Sequence, residues 1–184
     1  GQATPRPAPF VGILCGGWSD ERSVSLNSGN SVYDSLIDNR YDAYLFDFKK
    51  NEFEMLSNFL SSNKIDLVFN LIHGTGGEDG TVQELLDDIG INYVGSDTDS
   101  SKLSFSKIMT KQKWVDNGLK TPDYIKSPSE LLYIEKFPSL IAENENLSLI
   151  FGDTNKYVLK PDKSGSSVGI KISNNVKELI PNII

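Results

Sequence analysis

The chain of 184 residues contains a single cysteine and a single histidine. A lone thiol, Cys15, excludes an internal disulfide and a cysteine metal cluster and fits a reducing cytosol. Set in an apolar run, it reads as core. Positive charge is also scarce: 18 lysines and arginines face 25 acids, for a net charge of −7. That excludes the basic face a nucleic acid requires and leaves any phosphate ligand to a few placed lysines. No apolar run approaches the roughly 20 residues of a membrane span, so no membrane partner is expected. Proline is sparse except at the start, where the first ten residues hold three of the eight. They lack the apolar segment of a signal peptide, and residues 1–9 read as a disordered lead-in. The remainder is ordinary globular material, 38% apolar and 23% charged, with room for one good core or two small ones at about 100 to 150 residues per domain.

From Phe10 to Cys15 a continuous apolar run ends in Gly16-Gly17, as a parallel strand buried on both faces would. A loop, Trp18-Ser19-Asp20, leads to a helix expected over residues 21–37, with Val24, Val32, Leu36 and Ile37 among its apolar positions. Asp20 and Glu21 at its mouth complement the helix dipole. Alternatively one of them is a ligand carboxylate, because loops at the carboxyl ends of parallel strands bind small molecules. Strands over 42–48 and 65–72 flank a helix near 54–60, and this alternation points to a doubly wound α/β layer. His73 follows the third strand, beside Gly74, Gly76, Gly77 and Gly80, and a helix over Thr81–Ile89 comes next. The dinucleotide fingerprint fails here, because Asp79 stands where its third glycine belongs. Glu78-Asp79 lacks the further ligands of a metal pair. Tyr93–Ser96 closes this part as a short strand and turn.

One helix is then expected from Ser101 to Asn117, with Lys102, Lys107, Lys111 and Lys113 mostly on a solvated face. Gly118 and Thr121-Pro122 stop it. A short strand near Tyr124-Ile125, helical turns around Glu130–Glu135 and a polar loop follow. Tyr157-Val158-Leu159 then delivers Lys160 into Pro161-Asp162-Lys163-Ser164-Gly165-Ser166-Ser167-Val168-Gly169. Glycines let backbone approach a bulky anion, serines offer hydroxyl and amide hydrogens, and Lys160 and Lys163 supply charge. This is a candidate polyphosphate loop between two strands, and not a Walker A loop, since no Gly-Lys-Ser/Thr opens a helix. An ordinary surface hairpin has the same composition. A last helix is expected from Val176.

Four features stand in fixed order: Gly16 through Ser25, His73 through Gly80 with Gln83, the Lys107 helix, and Lys160 through Gly169. Together they closely resemble the D-alanine–D-alanine ligases of the ATP-grasp class, from Val11 to the last residue. The resemblance implies an α/β fold class: a doubly wound parallel-sheet N-terminal domain over residues 10–98, then a truncated α+β ATP-grasp central lobe over 99–184. It implies ATP and Mg²⁺ as cofactors, D-alanine as substrate and a homodimer through the N-terminal region. By the same resemblance Glu21 holds the ammonium of the first D-alanine, Ser166 links to that glutamate and helps seal the site, and His73 lies beside the first substrate. Lys107 and Lys160 are similar to the two lysines on the ATP phosphates, with Gly165, Ser166 and Ser167 beneath them. The family often carries an acid just before the helix lysine, where this chain has Ser106. The Mg²⁺ ligands and adenine hinge of the family are expected beyond Ile184, so the chain is expected to be a fragment, inactive alone. A D-alanine–D-lactate or D-alanine–D-serine ligase shares these features. A non-catalytic binding module would not need Glu21, His73, Lys107, Lys160 and Ser166 together.

Overall fold

Strand β1 (Val11–Gly16) is apolar throughout, and all six of its residues are buried. A strand buried on both faces belongs in the middle of a covered parallel sheet. In the computed structural model, which describes residues 8–137, 156–164 and 169–182, it lies there. The order is β2-β1-β3-β4, with β2 (Ala43–Phe48), β3 (Leu67–Asn70) and β4 (Asn92–Val94) all parallel to their neighbours. Helices α2 (Phe53–Ser62) and α3 (Thr81–Ile89) bring Leu56, Leu60, Val82 and Leu86 onto Leu14, Phe48, Val68 and Ile72. On a second cluster, Val32 and Leu36 of α1 (Arg22–Asp38) pack with Val11, Ile13 and Ala43. The doubly wound layer expected from the alternation of elements is therefore present.

The apolar reading of α1 needs correction. Val24 and Ile37 are 53% and 44% exposed, and the buried residues of the helix are Ser25 and Gly29. A Cβ on Gly29 would sit 2.6 Å from the Cβ of Cys15, so α1 rides directly on β1 and only small residues fit. Cys15 beneath it is fully buried. Burial first, and then the charge of Asp47, push its thiol up to about 11 from an ordinary 9.0. Above pH 9 the unfolded chain ionises this thiol while the folded chain does not, so stability falls until about pH 11, by roughly 1.4 kcal/mol per pKa unit. Native protein is expected to resist iodoacetamide at pH 8 and to label stoichiometrically in denaturant. Rapid native labelling would contradict the burial.

Residues 1–102 and 103–184 form two compact units. The second contains an antiparallel sheet in sequence order, β5 (Tyr124–Lys126), β6 (Leu132–Phe137), β7 (Lys156–Pro161) and β8 (Lys171–Ser173). Ile134 pairs with Leu159 and both enter a core with Leu179. Side chains alternate across a strand, so Tyr133, Glu135, Val158 and Lys160 occupy the other face.

Three expectations fail in this unit. Residues 132–135 are strand and not helical turns, because their two-residue alternation is answered by β7, a partner distant in sequence. The long helix is broken into α4 (Thr98–Phe105) and α5 (Lys107–Asp116). Ser106 between them is extended (φ −84°, ψ 111°) and accepts a hydrogen bond from Met109 N, which makes it the cap of α5. Beyond Asn175 there are two short 3₁₀ turns, Val176–Glu178 and Ile180–Asn182; Pro181 has no amide hydrogen with which to continue a helix. The lead-in through residue 7, the polar loop before β7, and Gly165, Ser166, Ser167 and Val168 lie outside the described residues. Among those described, no helix is long and apolar enough to cross a membrane.

Candidate functional site

In the first unit, the loops leaving the carboxyl ends of β1 and β3 carry Glu21 and His73. Gly16 and Gly17 turn the chain out of β1 at φ 89° and 77°. A side chain at Gly16 would strike Asp47 Oδ1 at 2.2 Å and Arg22 Nη1 at 2.5 Å. Those two groups form a bidentate pair at 2.8 and 2.7 Å, and Arg22 also donates to Gly17 O. The mouth of α1, next to Glu21, is thus pinned to β2. Ser19 Oγ donates to His73 O at 2.7 Å and accepts from Glu21 N at 3.2 Å, so one hydroxyl joins the two loops. Gly74 lies against the Glu21 carboxylate, since a Cβ there would be 3.1 Å from Glu21 Oε2. His73 Nδ1 is 3.6 Å from Glu78 Oε1, and its Nε2 is 3.5 Å from Ser28 Oγ. The arrangement presents acids beside an imidazole at the strand ends, which suits a ligand bearing an ammonium.

Several residues that hold this site carry no legible role in the sequence. Ser25, fully buried, accepts from Gly16 N at 2.8 Å and donates to Leu71 O at 2.6 Å, so it staples the ends of β1 and β3. Ser25→Ala should cost about 1–3 kcal/mol in denaturant unfolding, because Gly16 N loses its buried acceptor. A wild-type midpoint would contradict that reading. Asn70 Nδ2 and Gln83 Nε2 both donate to Gly77 O at 2.7 Å, and Asp79 accepts from Gly76 N and Thr81 N. For Ser25, Asp79 and Gln83 the sequence signal was their place in the stretches that carry the resemblance; Asn70 had none.

In the second unit the site forms where α5 begins and β7 ends. The Asp162 carboxylate accepts from Ile108 N at 2.8 Å and lies 2.8 and 3.0 Å from Ser106 Oγ. An anion at a helix N-terminus is well placed. The acid absent before Lys107 in the sequence is thereby supplied from a position 56 residues beyond Ser106. Lys107 Nζ donates to Asp162 O at 3.1 Å and Ser164 O at 2.6 Å. Burial lowers its pKa below the ordinary 10.5; Asp162 opposes this and Lys160 adds to it.

Four residues on from Lys107, Lys111 faces the sheet and is buried, an exception to the mostly solvated lysines expected along this stretch. It pairs with Glu135 Oε1 and donates to Thr121 Oγ1 at 2.7 Å, while Lys160 Nζ meets Glu135 Oε2 at 2.6 Å. Burial, then Glu135 and Asp162, push the Tyr133 phenol well above its usual 10.0. Beside these groups opens a cavity of about 490 Å³, its walls including Lys107, Lys111, Trp114, Pro122, Tyr133 and Lys160. Two lysines at the rim and an aromatic, largely apolar wall can hold an anion attached to a flat apolar group. Among the described residues, no three His, Cys, Asp or Glu side chains are arranged to hold a metal.

Comparison with known proteins points to one group of enzymes. A family model described as D-ala D-ala ligase N-terminus matches residues 49–96. D-alanine–D-alanine ligase of Polynucleobacter asymbioticus is 39% identical over 170 residues, covering 92% of this chain and 45% of that protein. D-alanine–D-alanine ligase B of Pseudomonas syringae pv. tomato is 38% identical over 183 residues, covering 97% and 51%. The crystal structure of D-alanine–D-alanine ligase from Bacillus anthracis complexed with ATP superposes with a TM-score of 0.66 at 31% identity, covering 95% of this chain and 53% of that one. The chain spans about half the length of the curated relatives it matches. Over nearly its whole length the chain is therefore similar to the N-terminal part of D-alanine–D-alanine ligases.

Proposed function

We propose that this chain supplies the first-substrate site and part of the ATP site of an enzyme that joins two D-alanines at the expense of ATP. The observation that carries the reading is Lys107 and Lys160 at one cavity beside the aromatic Trp114. Such a ligase transfers the terminal phosphoryl group of ATP to the carboxylate of the first D-alanine, forming an acyl phosphate and ADP. The amine of the second D-alanine then attacks that carbonyl, loses a proton, and inorganic phosphate leaves as the peptide bond forms. Both steps are governed by positioning and charge neutralisation.

In this reading Glu21 takes the ammonium of the first D-alanine and leaves its carboxylate free to react. His73 stands beside that carboxylate, oriented by Glu78 and Ser28. Lys107 and Lys160 offset charge on the phosphates, and Lys107 also holds Ser164 O. Mg²⁺ belongs to this chemistry, but the described side chains do not form a site that fits it. The roles of Ser166, Ser167 and Gly165 follow from the resemblance alone.

Equilibrium binding of D-alanine to the chain tests the first-substrate site. Saturable binding that prefers D- over L-alanine, and is lost in Glu21→Gln, is expected. Binding indifferent to stereochemistry, or unaffected by Glu21→Gln, would overturn the assignment.

A further inference from the structure

Glu135 is the one acid among the described residues lining the cavity of the second unit. It lies mid-strand on β6, only 3% exposed, opposite Val158, while Lys160 stands opposite Tyr133. Glu135 and Lys160 are therefore diagonal neighbours on one sheet face, a spacing that long side chains bridge. Its two oxygens have separate duties: Oε2 receives Lys160 Nζ at 2.6 Å, and Oε1 receives Lys111 Nζ.

The two lysines are not equivalent. Lys111 has a side chain 5% exposed; its ammonium also reaches Thr121 Oγ1 and Pro122 O and sits 5.2 and 5.9 Å from the ring centres of Tyr124 and Tyr133. Lys160, at 22%, faces the cavity. One carboxylate between two ammonium groups leaves the trio a net charge of +1. Glu135 paired with Lys160 alone would cancel the charge a phosphate needs. The two lysines without the carboxylate would repel, and the more accessible one would swing to solvent.

We propose that Glu135, itself held by Lys111, is a positioning residue that fixes the Lys160 ammonium at the cavity wall while leaving the trio a net positive charge for the phosphates of the nucleotide. The proposal rests on the reading that Lys160 takes an ATP phosphate.

The test is calorimetric ATP affinity of the full chain for wild type, Glu135→Gln, Lys160→Met and the pair Lys111→Met/Glu135→Gln. The pair keeps the trio at +1 with near-isosteric side chains, so it removes the anchor and not the net charge, and it provides a second variant if Glu135→Gln alone does not fold. About tenfold weaker binding is expected for each variant carrying Glu135→Gln. Adding Lys160→Met to the pair should change affinity less than twofold further, because residues acting through one another are not additive. Wild-type affinity in the pair, or an undiminished further loss on adding Lys160→Met, would overturn the proposal. A parallel readout needs no nucleotide: the rate at which acetic anhydride modifies Lys160, followed by peptide mass, should rise several-fold in the pair. An unchanged rate would overturn the positioning role even if ATP binds. A raised rate in a chain that binds no ATP would sustain the positioning role and remove the functional reading instead.

Discussion

Lys111→Ala is expected to destabilise the second unit by about 3–5 kcal/mol, the usual cost of removing one partner of a buried ion pair. The side chains of Lys111 and Glu135 are both 5% exposed. Truncation takes one of two cations from Glu135, removes the donor to Thr121 Oγ1 and Pro122 O, and leaves a void beneath Tyr133. Lys113→Ala, two residues away on the exposed surface of α5, should stay within about 0.5 kcal/mol of wild type. Lys111→Met/Glu135→Gln, which removes both charges and keeps the volume, should be far milder than Lys111→Ala, since buried ion pairs are readily replaced by packed neutral groups. Guanidinium unfolding followed by circular dichroism orders the three. Equal midpoints for Lys111→Ala and Lys113→Ala would show that the buried pair does not support the fold.

Gly77→Ala is the second large effect. A Cβ at this position would lie 1.9 Å from the carbonyl oxygen of Ile72 and 2.5 Å from its carbon. Both are backbone atoms where the chain leaves β3, so a rotamer change cannot relieve the overlap. The loop must move, and with it the Gly77 carbonyl that Asn70 and Gln83 both hold. A cost of about 3 kcal/mol or more is expected, at the upper end of overpacking penalties, together with loss of D-alanine binding through displacement of His73 and Glu78. Gly90→Ala is the contrast: Gly90 has a positive φ of 79° and nothing within 4 Å of the added methyl, so only the left-handed strain of about 1–2 kcal/mol applies. If Gly77→Ala melted at or above the temperature of Gly90→Ala, the loop would be more accommodating than its geometry indicates.

The parts of the molecule that could be read from sequence are those where local pattern and final environment agree. The apolar β1, the glycines at its end and the helical period of Val82, Leu85, Leu86 and Ile89 identified the parallel layer, and Glu21 and His73 stood out because they occupy strand ends. What could not be read depends on distant partners. Ser25 and Gly29 look like poor core residues until β1 lies beneath them. Nothing near Ser106 says that Asp162 will meet it and break the long helix there. Glu135 resembles an ordinary surface acid within a helical-looking run, and only β7 and Lys111, both remote in the chain, convert it to a buried strand residue with two cations. Helical period correctly relates Lys107 to Lys111, but only the packed sheet separates a lysine at the rim from one committed to an interior pair.

The most direct measurement is a calorimetric titration of the purified chain with ATP, beside Lys107→Met and Lys160→Met variants shown by circular dichroism to be folded. Saturable binding of one ATP per chain is predicted, weakened at least tenfold by either substitution. Folded wild-type protein that binds no ATP, or variants that bind it as tightly as wild type, would contradict the assignment of this cavity to the nucleotide.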